Sequence, residues 1–169
     1  MNVWQAPANV LDLLDEVKAK HHSPRLDQAT IGLCFADTKA FPNNCLNYGK
    51  TVKISTFARI WQERKLDFCL TLCADVWHSI LNDQQKQALL DLHLSRCEVE
   101  CVSVLDEKGK PVKDEWERVQ YTEEIKFNDD GTPKWKVLPL DLTVFAINVR
   151  KYGLWCEELD EFGTVLQGE

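Results

Sequence analysis

The chain has 169 residues, 44% of them hydrophobic, enough for one domain whose folding buries roughly 70% of the unfolded surface. No window approaches the roughly 18 uninterrupted apolar residues of a membrane span, and the opening Met-Asn-Val-Trp-Gln lacks the basic and apolar regions of a signal peptide, so a cytosolic protein without membrane contact is expected. Twenty-seven acidic against twenty basic residues give a formal charge of −7, which leaves little source for direct nucleic-acid binding and favours a partner with a basic surface.

Asn9 is placed to cap a first helix, in which Val10, Leu13, Leu14 and Val17 recur at i, i+3, i+4, i+7. That helix is expected to end near residues 21–24. "ATIGLCFAD" (29–37) and "TVKIST" (51–56) read as strands on either side of the turn signal "PNN" at 42–44, and "RIWQERK" as a short helix. "DFCLTLCA" (67–74) is a short apolar run bounded by charge, a central strand with Cys69, Thr71 and Cys73 on one face. "ADVWHSIL" reads as a helical turn or two.

Asn82 with Gln85 three residues on forms a capping-box signature. The helix it opens carries Leu89, Leu90, His93, Leu94, Cys97 and Cys101 at helical spacing, which predicts one buried stripe. "DEKGK" (106–110) and "NDDGTP" (128–133) are turn signals between strand-like segments and predict one or two hairpins. Asp141 is placed to cap a last helix with Leu142, Phe145, Ala146 and Val149 on its apolar face, and Gly153 to stop it. No internal repeat, low-complexity tract or Gly-rich phosphate loop is apparent. The polar stretch 106–134 reads as an excursion within one α+β domain spanning 1–156, and 157–169 as an acidic C-terminal tail.

The segments "DFCLTLCADVW", "NDQQKQALLDLHLSRCEVE" and "LDLTVFAINVRKYGLW" together resemble the phage metallopeptidase family, a zincin-like group, from the first helix to Trp155. In that family's pattern a strand ending in A-D-V-W precedes a helix carrying D-H-E-L-x-H-C, and a later helix opening with H-D and closing with G-L-W supplies another ligand. Two histidines at i and i+4 share a helix face and can hold one Zn²⁺, and the glutamate beside the first can activate its water. Here Asp91, Leu94 and Cys97 match, as do Asp141, Phe145, Gly153, Leu154 and Trp155. The first histidine is Leu92, the glutamate His93, the second histidine Arg96 and the third Leu140.

The resemblance therefore implies an α+β fold, a zincin-like domain with a small mixed or antiparallel sheet packed on two or three helices. It also implies a degenerate member without catalytic residues or cofactor: a pseudoenzyme of phage or prophage origin, working in the cytoplasm of a bacterial host. The expected action is to bind and inhibit a host protein or ribonucleoprotein with a basic surface, a CRISPR or restriction complex being the natural class. Two alternatives stay open. One is a metal-dependent hydrolase using His93, Cys97 and Cys101 at i, i+4, i+8, with Cys69 or Cys73 opposite; the other is a structural or regulatory phage protein.

Partner contacts are expected at Trp116 and Trp135, read as exposed anchors beside the hairpins, and at the acidic residues Asp114, Glu115, Glu157, Glu158, Asp160 and Glu161. The plainer readings are cross-strand packing for the tryptophans and solvated faces for the charges. Seven cysteines, an odd number with no sign of an oxidising compartment, are expected to be reduced thiols.

Overall fold

The computed structural model describes residues 2–37, 48–115, 117–140 and 142–156, of which 142–145 by backbone only. The three expected strands, β2 Ile31–Ala36, β3 Gly49–Lys53 and β4 Phe68–Cys73, join one that was not expected, β1 Val3–Gln5, in a four-stranded mixed sheet of order β1-β2-β4-β3. β2 and β4 are parallel, with Leu33 opposite Leu70 and Phe35 opposite Leu72, while β1 and β3 flank them antiparallel. Side chains alternate along a strand, so Ile31, Leu33, Phe35, Phe68, Leu70 and Leu72 line one face and are all buried. Cys34, Cys69 and Thr71 occupy the other face and are half-buried; Cys73, expected with them, is buried.

Among the described residues five helices occur in chain order: α1 Ala8–His22, α2 Thr56–Ile60, α3 Ala74–Ser79, α4 Asp83–Ser95 and α5 Leu142–Tyr152. α1 starts at Ala8, one residue before the expected cap Asn9; its N-cap is Pro7, whose carbonyl accepts from the Val10 and Leu11 amides without any side-chain cap. Proline suits that entry because its fixed φ is already compatible with the helix. α2 starts earlier than "RIWQERK" suggests, because the Ser55 hydroxyl accepts from the Ala58 amide and caps it there. The capping box of α4 is present as expected: Asn82 Oδ1 accepts from the Gln85 amide at 2.9 Å and Gln85 Oε1 from the Asn82 amide at 2.8 Å. Gly153 ends α5 with φ 73°, its amide bonded to the Val149 carbonyl. The expected cap Asp141 and turn 42–44 lie outside the described residues.

α4 departs from the one-stripe expectation. Seven consecutive residues, Ala88 to Leu94, are buried on every side of it, because α1, α5 and β3 all pack against it. It ends at Ser95, so Cys97 and Cys101 lie on strands instead of the helix. Among the described residues no helix is long and apolar enough to cross a membrane.

By contacts the chain divides into two compact units, residues 1–97 with 137–169, and residues 98–136, which bracket the polar stretch seen in the sequence. The second unit is built from short strands: β5 Cys97–Val99 pairs β8 Trp135–Val137, and β6 Cys101–Ser103 pairs β7 Tyr121–Ile125. A repeat that the sequence hides emerges there. Residues 106–110, 114–118 and 128–132 make the same five-residue turn, in which the first amide bonds to the last carbonyl and the fourth amide back to the first carbonyl. The fourth position has positive φ in all three: Gly109 at 74°, Glu117 at 61° and Gly131 at 75°.

Backbone bonds then close in two rings of three. Val112 donates to Val104, Gln120 to Val112 and Val104 to Gln120; Lys126 donates to Glu100, Lys134 to Lys126 and Glu100 to Lys134. Each ring satisfies three donors and three acceptors where little apolar surface is buried.

Glu117 holds a conformation that glycine adopts freely and a side chain resists by roughly 1–2 kcal/mol. Glu117→Gly is expected to stabilise this unit by about 1 kcal/mol and Gly109→Ala to weaken it by a similar amount. Amide hydrogen exchange of residues 98–136 measures both, and equal protection in the two variants would contradict the turn equivalence.

Candidate functional site

The middle of α4 holds an ionisable residue where none would be expected, Asp91, with no exposed surface. Its Oδ1 accepts from His22 Nε2 at 2.9 Å and from Lys151 Nζ at 2.7 Å, and its Oδ2 from Asn148 Nδ2 at 2.9 Å. Asn148 also donates to the Ala88 carbonyl and accepts from Trp155 Nε1 at 2.7 Å. Behind His22, Arg25 Nη2 donates to His22 Nδ1 at 2.8 Å, and Arg25 Nη1 to the Cys97 carbonyl at 2.7 Å. The arginine fixes the histidine tautomer: Nδ1 can only accept, so Nε2 carries the proton given to Asp91.

Burial alone would raise the Asp91 pKa, but the hydrogen bonds from His22, Lys151 and Asn148 outweigh it and bring it down to about 2. Burial pushes His22 below its ordinary value, with the Asp91 carboxylate opposing. Tyr152, on the same side of α5, is pushed up to about 12 by burial and by Asp91. His21 stacks edge-on against the Tyr152 ring at 6.0 Å.

Two residues on, His93 is buried at 1% exposure and faces β3. Its Nδ1 lies 2.9 Å from Thr51 Oγ1, which also lies 3.4 Å from the His93 carbonyl. Nδ1–H donating to Thr51, and Thr51 to the carbonyl, leaves Nε2 as an unpaired acceptor, a lesser cost than an unpaired buried donor. That atom faces Gly49, where an added Cβ would overlap the Nε2 edge of the imidazole ring, so only glycine fits without a shift of the buried histidine. Burial, then the Arg96 charge, takes the His93 pKa down to about 3.

Leu92 is fully buried. Arg96 is the C-cap of α4; its Nε donates to the Leu138 carbonyl at 3.1 Å, and its own carbonyl accepts from the Leu138 amide at 2.8 Å. Leu140, two residues beyond, is half-buried. The chain segment carrying position 140 is thus tied to position 96.

The family described as "Putative phage metallopeptidase" matches residues 3–164. The chain belongs to this family. No curated protein and no solved structure matches it. The small mixed sheet packed on helices is the zincin-like α+β fold that membership implies.

The metal ion that the family name implies finds no fitting donors at the positions the pattern reserves for it. Leucine at 92 and 140 has no ligand atom, and the guanidinium at 96 is cationic and committed to a carbonyl. The alternative set of His93, Cys97 and Cys101 fares no better. Cys97 Sγ contacts the His93 carbonyl at 3.7 Å, and Cys101 lies on β6 opposite Ile125. No group of three or more His, Cys, Asp or Glu positioned to hold a metal occurs among the described residues. The Sγ of Cys69, a cysteine expected opposite that set, lies 3.9 Å from Cys34 Sγ.

Of the expected partner contacts, Trp135 is buried at 3% exposure, so it is not an exposed anchor. Asp114 accepts from the Arg118 amide and pairs with its guanidinium in the second turn, and Glu115 is exposed beside it. Trp116, Glu157, Glu158, Asp160 and Glu161 lie outside the described residues. Sequence reading missed the Asp91 network beyond Asp91 and Trp155 themselves; the one available signal was a carboxylate inside the apolar run "LLDLHL".

Two outcomes are expected. Asp91→Ala strands the donors of His22, Asn148 and Lys151 and should cost roughly 3–5 kcal/mol in urea unfolding; a loss below 1 kcal/mol would mean that the network carries little. A histidine held below its unfolded value near 6.5 makes the unfolded state bind more protons, so stability is lost as pH falls from about 6.5 toward about 3. Between pH 7.5 and 5, His93 alone should remove about 2 kcal/mol, and His93→Gln should abolish that part of the slope in parallel urea titrations.

Proposed function

We propose that this family member has given up peptide hydrolysis and acts by binding. The observation that carries the reading is chemical: at the positions of two metal ligands and the general base of the family pattern, α4 presents Leu92, Arg96 and His93. The first is packed in the core, the second holds a backbone carbonyl, and the third is a neutral imidazole facing Gly49. A leucine in that place contributes roughly 1.5–3 kcal/mol of apolar burial, whereas an unmetallated histidine would add desolvation cost.

The target in this reading is a host macromolecule. Phage family membership and the net charge of −7 support it, and a CRISPR or restriction complex with a basic surface is its narrower form.

The test is metal content and hydrolysis of the purified chain, beside a variant carrying Leu92→His, His93→Glu, Arg96→His and Leu140→His. The native chain is expected to hold substoichiometric zinc and to cleave no general peptide substrate, and the variant to gain zinc. Stoichiometric zinc in the native chain, with hydrolysis that a chelator stops, would overturn the proposal. A tagged pull-down from nuclease-treated bacterial lysate addresses the binding half: a stoichiometric host complex is expected, and an empty one would leave only a structural or regulatory role.

A further inference from the structure

α2 is amphipathic the wrong way round. Its charged residue points inward: Arg59 Nη1 lies 3.3 Å from Asp67 Oδ1, with both side chains largely buried. Asp67 is held in turn by the Thr30 amide, which donates to its Oδ2 at 2.8 Å, and its backbone bonds to Thr30 and Ile54. This ion pair fixes the rotation of a helix too short to hold itself. It leaves Phe57, Ile60 and Trp61 outward at 72%, 69% and 77% exposure, on one face at i, i+3, i+4.

The charge around this triad is also reversed relative to the chain. Residues 49–65 contain five basic residues and one acidic, in a protein of net charge −7. Lys50, Lys53, Arg64 and Lys65 are all exposed, and none makes an ion pair among the described residues.

We propose that α2 with its basic flanks is a peripheral docking site for an anionic lipid surface, reversing the expectation of no membrane contact. A bilayer interface offers an apolar layer under negative headgroups, which matches a projecting apolar triad with exposed cations before and after it in the chain. It needs no pocket shaped to the triad. Single-stranded nucleic acid fits less well: Phe57 and Trp61 meet edge-on at 61° and 6.4 Å, so they do not form parallel platforms for successive bases. Ile60 offers no stacking surface at all. The inference stands apart from the loss of hydrolysis proposed above and needs neither a host protein target nor an empty metal site.

Flotation of the full chain with vesicles of phosphatidylcholine and phosphatidylglycerol at 70:30 tests it, against pure phosphatidylcholine and against a fluorescent oligo-dT. The chain is expected to float with the anionic vesicles and weakly with the neutral ones. Lys53→Gln with Arg64→Gln should lower the partition about 25-fold, at about 1 kcal/mol per basic residue. Trp61→Ser with Phe57→Ser should abolish flotation while the circular dichroism spectrum stays native. Absence of flotation, flotation indifferent to these substitutions, or tighter binding to the oligonucleotide than to the anionic vesicles would each overturn the proposal.

Discussion

A carboxylate with no exposed surface cannot remain charged unless its surroundings replace the water it has lost. Asp91 does so with donors from three places in the chain: His22 at the end of α1, and Asn148 and Lys151 on α5. Trp155, just past α5, is held through Asn148, and Gln85, in the cap of α4, donates to the Trp155 carbonyl. These bonds are directional where the apolar packing is not. A helix apolar on all sides could rotate or slide among its neighbours at modest cost; with Asp91 in place, only one setting satisfies every donor.

That setting decides where the residues one and two positions on must point. Leu92 goes into the core, and His93 toward β3, against Gly49 and Thr51. Arg96, one turn beyond Leu92, reaches the Leu138 carbonyl. The network itself uses none of positions 92, 93, 96 or 140. Substitution at those positions therefore leaves the Asp91 network untouched, which is a physical reason why a scaffold of this family can tolerate a change of its chemical residues.

Local sequence chemistry carried much of the fold. The alternation in β2 and β4, the Asn82–Gln85 box, the turn glycines at 109 and 131 and the stop at Gly153 act over a few residues, and the chain adopts each of them. What it did not reveal depends on residues far apart. His22 and Asp91 are separated by 69 positions, and nothing within "KAKHHSP" says that one histidine is bound for a buried carboxylate. The burial of α4 on every side arises from three neighbours at once, so its apolar stripe read as only one face. The third turn of the second unit escaped because Glu117 stands where its equivalents have glycine, and the repeat lies in backbone bonds instead of in letters.

The same distinction separates the motif positions from α2. At the motif positions the resemblance was legible because the pattern fixes residue types at fixed helical spacing, and the departures from it are visible as letters. α2 was not legible, since "TFARIW" read alone would place Phe57, Ile60 and Trp61 inside and Arg59 outside. The inversion follows from Asp67, buried between β4 and α2 and in need of a cation. A charge pair of this kind desolvates two groups to orient five helical residues, a costly arrangement if orientation were the only gain. Its net effect is to present an apolar, aromatic surface among cations on an otherwise acidic protein, and that surface is where the fold departs furthest from what stability alone would select.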